Sequence, residues 1–152
     1  MFLSDSDILA LMKSGQLGIH PFRQEQLTPN GYDLRIAPTG DVRAAHEVVG
    51  ELVLAPDGFA KVKTQETIYI GNGYVAFMLL RSRYSRNGLM GNFAVIDSGF
   101  RGAIHASLKN VSDTDITIKL DEGVIHLVVA RLTSKSMHPY GSDAHSHFQN
   151  QQ

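Results

Sequence analysis

Thr67-Ile68-Tyr69-Ile70-Gly71-Asn72-Gly73-Tyr74-Val75-Ala76-Phe77-Met78-Leu79 decides the class of fold. Two apolar runs rich in β-branched and aromatic residues flank a Gly-Asn-Gly turn, which is the pattern of strands and not of helix. Outward from this segment, short apolar or alternating runs recur at 52–54, 59–62, 93–96, 104–108, 116–120 and 123–132. Their spacing predicts an antiparallel sandwich or barrel instead of βαβ units. Only the first fifteen residues carry a helical signal. Ser4 is placed to cap the amide of Asp7, Asp5 and Asp7 suit the positive helix end, and Gly15 stops it. Ile8, Leu9, Leu11 and Met12 form the expected buried stripe.

The 152 residues predict one domain with its own core. Fourteen Lys and Arg against fifteen Asp and Glu leave a net charge of −1, so no basic field exists to coat nucleic acid. Hydrophobic residues at 43% exclude disorder over most of the chain, and no apolar run approaches the ~20 residues of a membrane span. The chain has no cysteine, and its first residues lack the basic flank and apolar stretch of a signal peptide. The expected location is cytoplasmic. From roughly 138 to 152 the sequence is polar and rich in His, Ser, Asn and Gln, which predicts a tail that is mobile alone and orders over a ligand. His138, His145 and His147 in that tail raise the idea of a zinc site, but such sites usually draw on rigid elements, so no metal ligand is assigned.

Three segments carry chemistry. Val95-Ile96-Asp97-Ser98-Gly99-Phe100-Arg101-Gly102 ends an apolar strand with a carboxylate and a Gly-bounded turn bearing an aromatic ring. Leu80-Arg81-Ser82-Arg83-Tyr84-Ser85-Arg86 puts three guanidinium groups beside hydroxyls, a combination suited to phosphate oxygens. Thr28-Pro29-Asn30-Gly31-Tyr32-Asp33-Leu34-Arg35 makes a turn into a strand with Asp33 and Arg35 on one face, which reads locally as a structural Asp-Arg pair.

Taken in order, these segments resemble the motifs of the trimeric dUTPase and dCTP deaminase superfamily over almost the whole chain. Asn30 to Arg35 looks like the first motif, Glu66 to Leu89 is similar to the stretch ending in the second, and Val95 to Gly102 looks like the third. The opening Leu3-Ser4-Asp5-Ser6-Asp7-Ile8 and the ending, with Pro139-Tyr140, Asp143-Ala144 and Gln151-Gln152, are closer to the deaminase branch. The resemblance implies an all-β distorted jelly roll (β-clip) with a short N-terminal helix, a homotrimer with active sites between subunits, a deoxyribonucleoside triphosphate substrate and Mg²⁺ held mainly by triphosphate and water. It implies that Asp97 activates the water and that Phe100 lies under the deoxyribose. Arg81, Ser82 and Arg86 would hold the triphosphate, Asp33 would support the metal-water network, and the backbone near Gly91 and Asn92 would read the base.

Ten positions past the aspartate, where deaminases of this family carry a proton-handling glutamate, stands Ser107. A hydroxyl is no general base near neutrality. The reading is therefore hydrolysis of dUTP to dUMP and diphosphate. The alternatives are dCTP deamination with an unusual proton carrier such as His105, or a catalytically weakened nucleotide-binding trimer acting as a sensor. Gly123-Val124-Ile125-His126-Leu127-Val128 replaces the fourth motif of dUTPases, and their Gly-rich fifth motif is absent.

Overall fold

The computed structural model describes residues 1–142 and 146–150. The chain opens with α1 (Asp5–Lys13), capped as expected: Ser4 Oγ accepts from the Asp7 amide at 3.3 Å and Asp7 Oδ2 accepts from the Ser4 amide at 3.0 Å. Ile8 and Leu11 are buried, but Leu9 is exposed, because a neighbour of Ile8 is turned about 100° off the packed stripe. Gly15, at φ +71°, ends the helix.

The rest is strand. In chain order these are β1 (Leu17–His20), β2 (Leu27–Thr28), β3 (Gly31–Leu34), β4 (Ile36–Val48), β5 (Glu51–Thr64), β6 (Thr67–Ile70) and β7 (Tyr74–Leu80), then a single helical turn, α2 (Ser82–Ser85). There follow β8 (Leu89–Asn92), β9 (Val95–Ile96), β10 (Arg101–Gly102), β11 (His105–Asn110), β12 (Ile116–Lys119) and β13 (Ile125–Arg131). Every ladder between them is antiparallel. They form three sheets, in the orders β1-β6-β10, β12-β5-β11-β8 with β4 against β5, and β2-β3-β13-β7-β9. Leu34, Ile36, Leu52, Leu54, Ile68, Ile70, Leu108, Ile118, Ile125 and Leu127 are fully enclosed between them. This is the all-β distorted jelly roll expected.

Two boundaries differ from the sequence reading for physical reasons. The runs 52–54 and 59–62 belong to one strand, β5, since Ala55-Pro56-Asp57-Gly58 forms an irregularity inside the β4–β5 ladder and no connection between strands. The run 93–96 is broken, because β8 belongs to one sheet and β9 to another; the chain crosses at Phe93-Ala94, where the Phe93 ring covers Gly91 so closely that a Cβ there would lie 2.2 Å away.

Arg35 does not pair with Asp33. Strand β3 stops at Leu34, and Arg35 turns inward, where its Nε donates to Glu66 Oε1 at 2.8 Å and its amide donates to Oε2 at 3.0 Å. Both side chains are buried. Burial pushes the Glu66 carboxyl above its usual range despite the guanidinium beside it. The native state thus holds the proton to higher pH than the unfolded chain. This group's contribution favours the native state below the usual carboxylate value of 4.5 and is lost as pH rises through the native value. Arg35→Leu removes the only cation bonded to Glu66 among the described residues and is expected to cost about 3–5 kcal/mol at pH 7. The cost should be smaller at pH 5, where the stranded carboxyl can keep its proton; urea denaturation at the two pH values measures both.

Candidate active site

Strand β9 hydrogen-bonds to β7, Ile96 opposite Ala76, and so delivers Asp97 to the end of a sheet. Asp97, Ser98, Gly99 and Phe100 then form a tight turn in which the Phe100 amide donates to the Asp97 carbonyl at 3.2 Å and Gly99 sits at φ +90°. The turn is docked on the end of β6, with Gly99 N–H on the Ile70 carbonyl (2.7 Å) and Ile70 N–H on the Phe100 carbonyl (3.0 Å). Asp97 is exposed and makes no ion pair among the described residues, whereas Phe100 is buried. A carboxylate and a flat ring thus face one cavity of about 440 Å³, the size of a small-molecule site.

The remaining walls of that cavity are mostly apolar, and Asp97 is the sole carboxylate among its described lining residues. His105, exposed on β11, also lines it; Ser107, two residues on along the strand, does not. Gly91 and Asn92 lie outside it as well, engaged in the β8–β11 ladder opposite Leu108 and Ser107. The polar tail packs on this turn. Tyr140 stacks on Phe100 at 5.7 Å between centroids, its amide donates to the Ser98 carbonyl (2.7 Å), and Phe148 joins the cavity wall. His145, with Asp143, Ala144, Gln151 and Gln152, lies outside the described residues; among those described, no group of three His, Asp or Glu side chains could hold a metal.

The arginine segment forms a second, polar pocket of about 320 Å³ lined by Thr28, Asp33, Arg81, Ser82 and His126 together with Leu79 and Leu80. Arg81 is fixed at three points. Its amide donates to Val124 (3.1 Å), its Nη1 to the Gly123 carbonyl (3.1 Å), and its Nε to Asp33 Oδ2 (3.0 Å). The other oxygen of Asp33 meets His126 Nδ1 at 2.7 Å. With each oxygen engaged by a nitrogen, Asp33 positions these two side chains. Arg83 is taken by Glu122, while Arg86 is exposed with no ion pair among the described residues. Two of the three clustered guanidinium groups are thus neutralised from within. Thr28 and His126 were not among the residues singled out as a site in the sequence, because they reach Asp33 and Arg81 only through the β2–β3–β13–β7 order of the sheet.

The chain matches the family model "dCTP deaminase-like" over residues 2–132. It belongs to that family. It is 33% identical over 125 residues to a dCTP deaminase of Thermococcus sibiricus, covering 80% of each chain. It is equally 33% identical, over 144 residues and covering 92% of this chain and 90% of the other, to a probable deoxyuridine 5'-triphosphate nucleotidohydrolase of Sulfolobus islandicus rod-shaped virus 1. Among solved structures, the dCTP deaminase of Agrobacterium tumefaciens superposes with a TM-score of 0.69 at 16% identity over 84% of this chain, which spans 47% of that protein's length. The Staphylococcus bacteriophage 80alpha dUTPase, solved with dUpNHpp, gives a TM-score of 0.54 at 20% identity, covering 80% of this chain and 85% of the other. These two structural likenesses establish the fold. The relatives make the chain a member of a nucleotide-metabolising enzyme family.

Gly99 holds turn and tail together: a Cβ there would come within 2.5 Å of the Tyr140 carbonyl, in a backbone region costly for any other residue. Gly99→Ala is expected to destabilise by about 1–3 kcal/mol. It should also speed proteolysis beyond Met137, as followed by mass spectrometry.

Proposed function

We propose that this chain hydrolyses dUTP to dUMP and diphosphate in the cytoplasm. The observation that carries this reading is the cavity lined by an exposed carboxylate, Asp97, the only one among its described lining residues, and by the buried ring of Phe100. Water attacks the α-phosphorus, the bond from that phosphorus to the bridging oxygen breaks, and diphosphate leaves. Asp97 orients the water and accepts its hydrogen, which raises the water's nucleophilicity without a perturbed acid being required. Phe100 supports the deoxyribose face. Arg81, Ser82 and Arg86 bind the polyphosphate oxygens, where their charge and donors offset the charge gathering on the leaving group. Mg²⁺ held mainly by the triphosphate and water belongs to this reading; bound there, the ion would withdraw charge from the phosphate oxygens.

A homotrimer with shared sites belongs to the same proposal. Asp97 follows Ile96 and so comes beside Val75, while Arg81 lies beyond the far end of β7; at about 3.4 Å per residue this separates their backbones by roughly 20 Å within one copy. The two pockets share no lining residue. One triphosphate attacked beside Asp97 therefore needs its arginines from another copy. On the outer face between the two pockets, Phe77, Val95 and Leu79 are exposed, Phe77 opposite Val95, and such an apolar ridge favours burial against a neighbouring subunit.

A second reading, deamination of dCTP to dUTP with release of ammonia, is supported by His105 lining the same cavity. The discriminating experiment incubates the protein with Mg²⁺ and each of dUTP, dCTP, dTTP and UTP and follows diphosphate and ammonia separately. Diphosphate from dUTP is expected; ammonia from dCTP would replace this reading by the second. Asp97→Asn should lower kcat by about 10²–10⁴-fold while dUpNHpp still binds. Mixing inactive Asp97→Asn with inactive Arg81→Ala and reassembling them should restore part of the activity. No recovery would place both groups in one protomer's site.

A further inference from the structure

Among the described residues that line the cavity beside Asp97, polar side chains come from Asp97, His105 and Tyr140. The Tyr140 hydroxyl accepts from the Phe148 amide at 2.7 Å, and Asp97 is the carboxylate assigned to the water. His105 is left over. It is exposed, and its ring makes no hydrogen bond or ion pair among the described residues. The backbone before it is firmly held: the Ile104 amide donates to Thr64 Oγ1 at 2.9 Å, the Thr64 amide donates to the Ile104 carbonyl at 2.8 Å, and Thr64 is buried. A side chain that starts from so fixed a point and ends free in a cavity is placed to meet a ligand. The walls formed by Met78, Ala94, Val95 and Ile96 bring only apolar side chains, which suit the faces of a heterocycle and not its polar edge. Gly91 and Asn92, whose backbone the sequence assigns to the base, lie outside this cavity in the β8–β11 ladder.

We propose that the His105 imidazole reads the 4-position of the pyrimidine and, because it can meet either substituent there, admits cytosine nearly as well as uracil. This assignment rests on the nucleotide reading above and adds to it the side chain that meets the base. A neutral imidazole has one nitrogen that donates and one that accepts. The donor meets the O4 carbonyl of uracil, and the bare nitrogen of the other tautomer meets the N4 amine of cytosine. A group of fixed polarity would reject one of the two bases by leaving a buried polar atom unpaired; a ring that can offer either nitrogen removes that penalty. The consequence is a second substrate. Water attacks the α-phosphorus of dCTP, the bond to the bridging oxygen breaks, and dCMP and diphosphate leave with the C4 amine intact.

The test uses isothermal calorimetry with Mg²⁺ and three probes: dUpNHpp, its cytosine counterpart, and 2-deoxyribose 5-triphosphate, which lacks a base. The wild type is expected to bind the first two within about tenfold of each other. His105→Val, at an exposed position, should keep the thermal midpoint and weaken both by about three- to tenfold, the worth of a hydrogen bond between uncharged groups, while the baseless probe binds as before. His105→Gln, whose amide also donates and accepts, should recover part of the affinity. In turnover, dCTP is expected to give dCMP and diphosphate without ammonia. A wild type that prefers the uracil nucleotide by about a hundredfold or more would overturn the proposal, as would a His105→Val protein that binds both nucleotides like the wild type or loses the baseless probe equally. Ammonia release that stops in His105→Val while the cytosine probe binds unchanged would also overturn it, since the ring is then a proton carrier. A wild type that binds the probes as expected yet releases no diphosphate from any nucleotide would refute the hydrolase reading and leave the contact between His105 and the base standing.

Discussion

The carboxylate of Asp33 ties three elements of one sheet into a single corner. It lies on β3 directly opposite His126 of β13, and His126 in turn lies opposite Leu79 of β7, two residues before Arg81. The ladder alone therefore sets the carboxylate, the imidazole and the guanidinium side by side. Asp33 is nearly enclosed, and a charge so placed needs donors on both oxygens. Satisfying it fixes the orientation of Arg81, whose further bonds to Gly123 and Val124 leave little freedom in the stem. Gly123 permits this approach, since a Cβ there would be 2.4 Å from that of Asp33. The guanidinium is thus held in place by the protein itself, which would lower the ordering cost of binding an anion there.

Much of this was legible in the sequence, and what was not has definite causes. The stretch from Thr67 to Leu79 announces β6 and β7 because its alternation and turn chemistry are local. The Ser4 cap and Gly15 stop are local too. Strand β5 was split by Pro56 and Gly58, residues that normally end strands but here accommodate an irregular register within one long ladder. The sheet change at Phe93 leaves no periodic trace, because both sides of the break are apolar. Asp33 and Arg35 share a face only if the strand continues, and it ends between them. The ion-pair partner of each, Arg81 for Asp33 and Glu66 for Arg35, is remote in sequence and visible only once the sheets are paired.

The motif residues Asp97, Phe100, Arg81 and Ser82 were legible as a set because their order along the chain carries information that no single turn does. Their division between two pockets was not. It follows from β7 running the distance between them, with Asp97 beside its start and Arg81 past its end. The two pockets also differ in kind. That of Asp97 is walled by Met78, Ile104 and aromatic rings, suited to a sugar and base, while that of Arg81 offers charge and hydroxyls. Separating them keeps the arginine from neutralising the exposed carboxylate, which the proposed hydrolysis would require to meet water.

That separation also explains why overall likeness divides relatives poorly by activity: a dCTP deaminase and a probable dUTP hydrolase stand at the same 33% identity to this chain. Identity over the whole chain reports the shared fold and not the few side chains on which two activities would differ. What differs is the handling of a proton near the base. Here Ser107 offers a hydroxyl at half-buried depth between Asn92 and Lys61, where a carboxylate would have had the lysine across the ladder as its countercharge. A serine there offers no carboxylate, and on the proposed reading the group left to meet water is Asp97, at the opposite end of β7 from the buried carboxylate that orients the arginine.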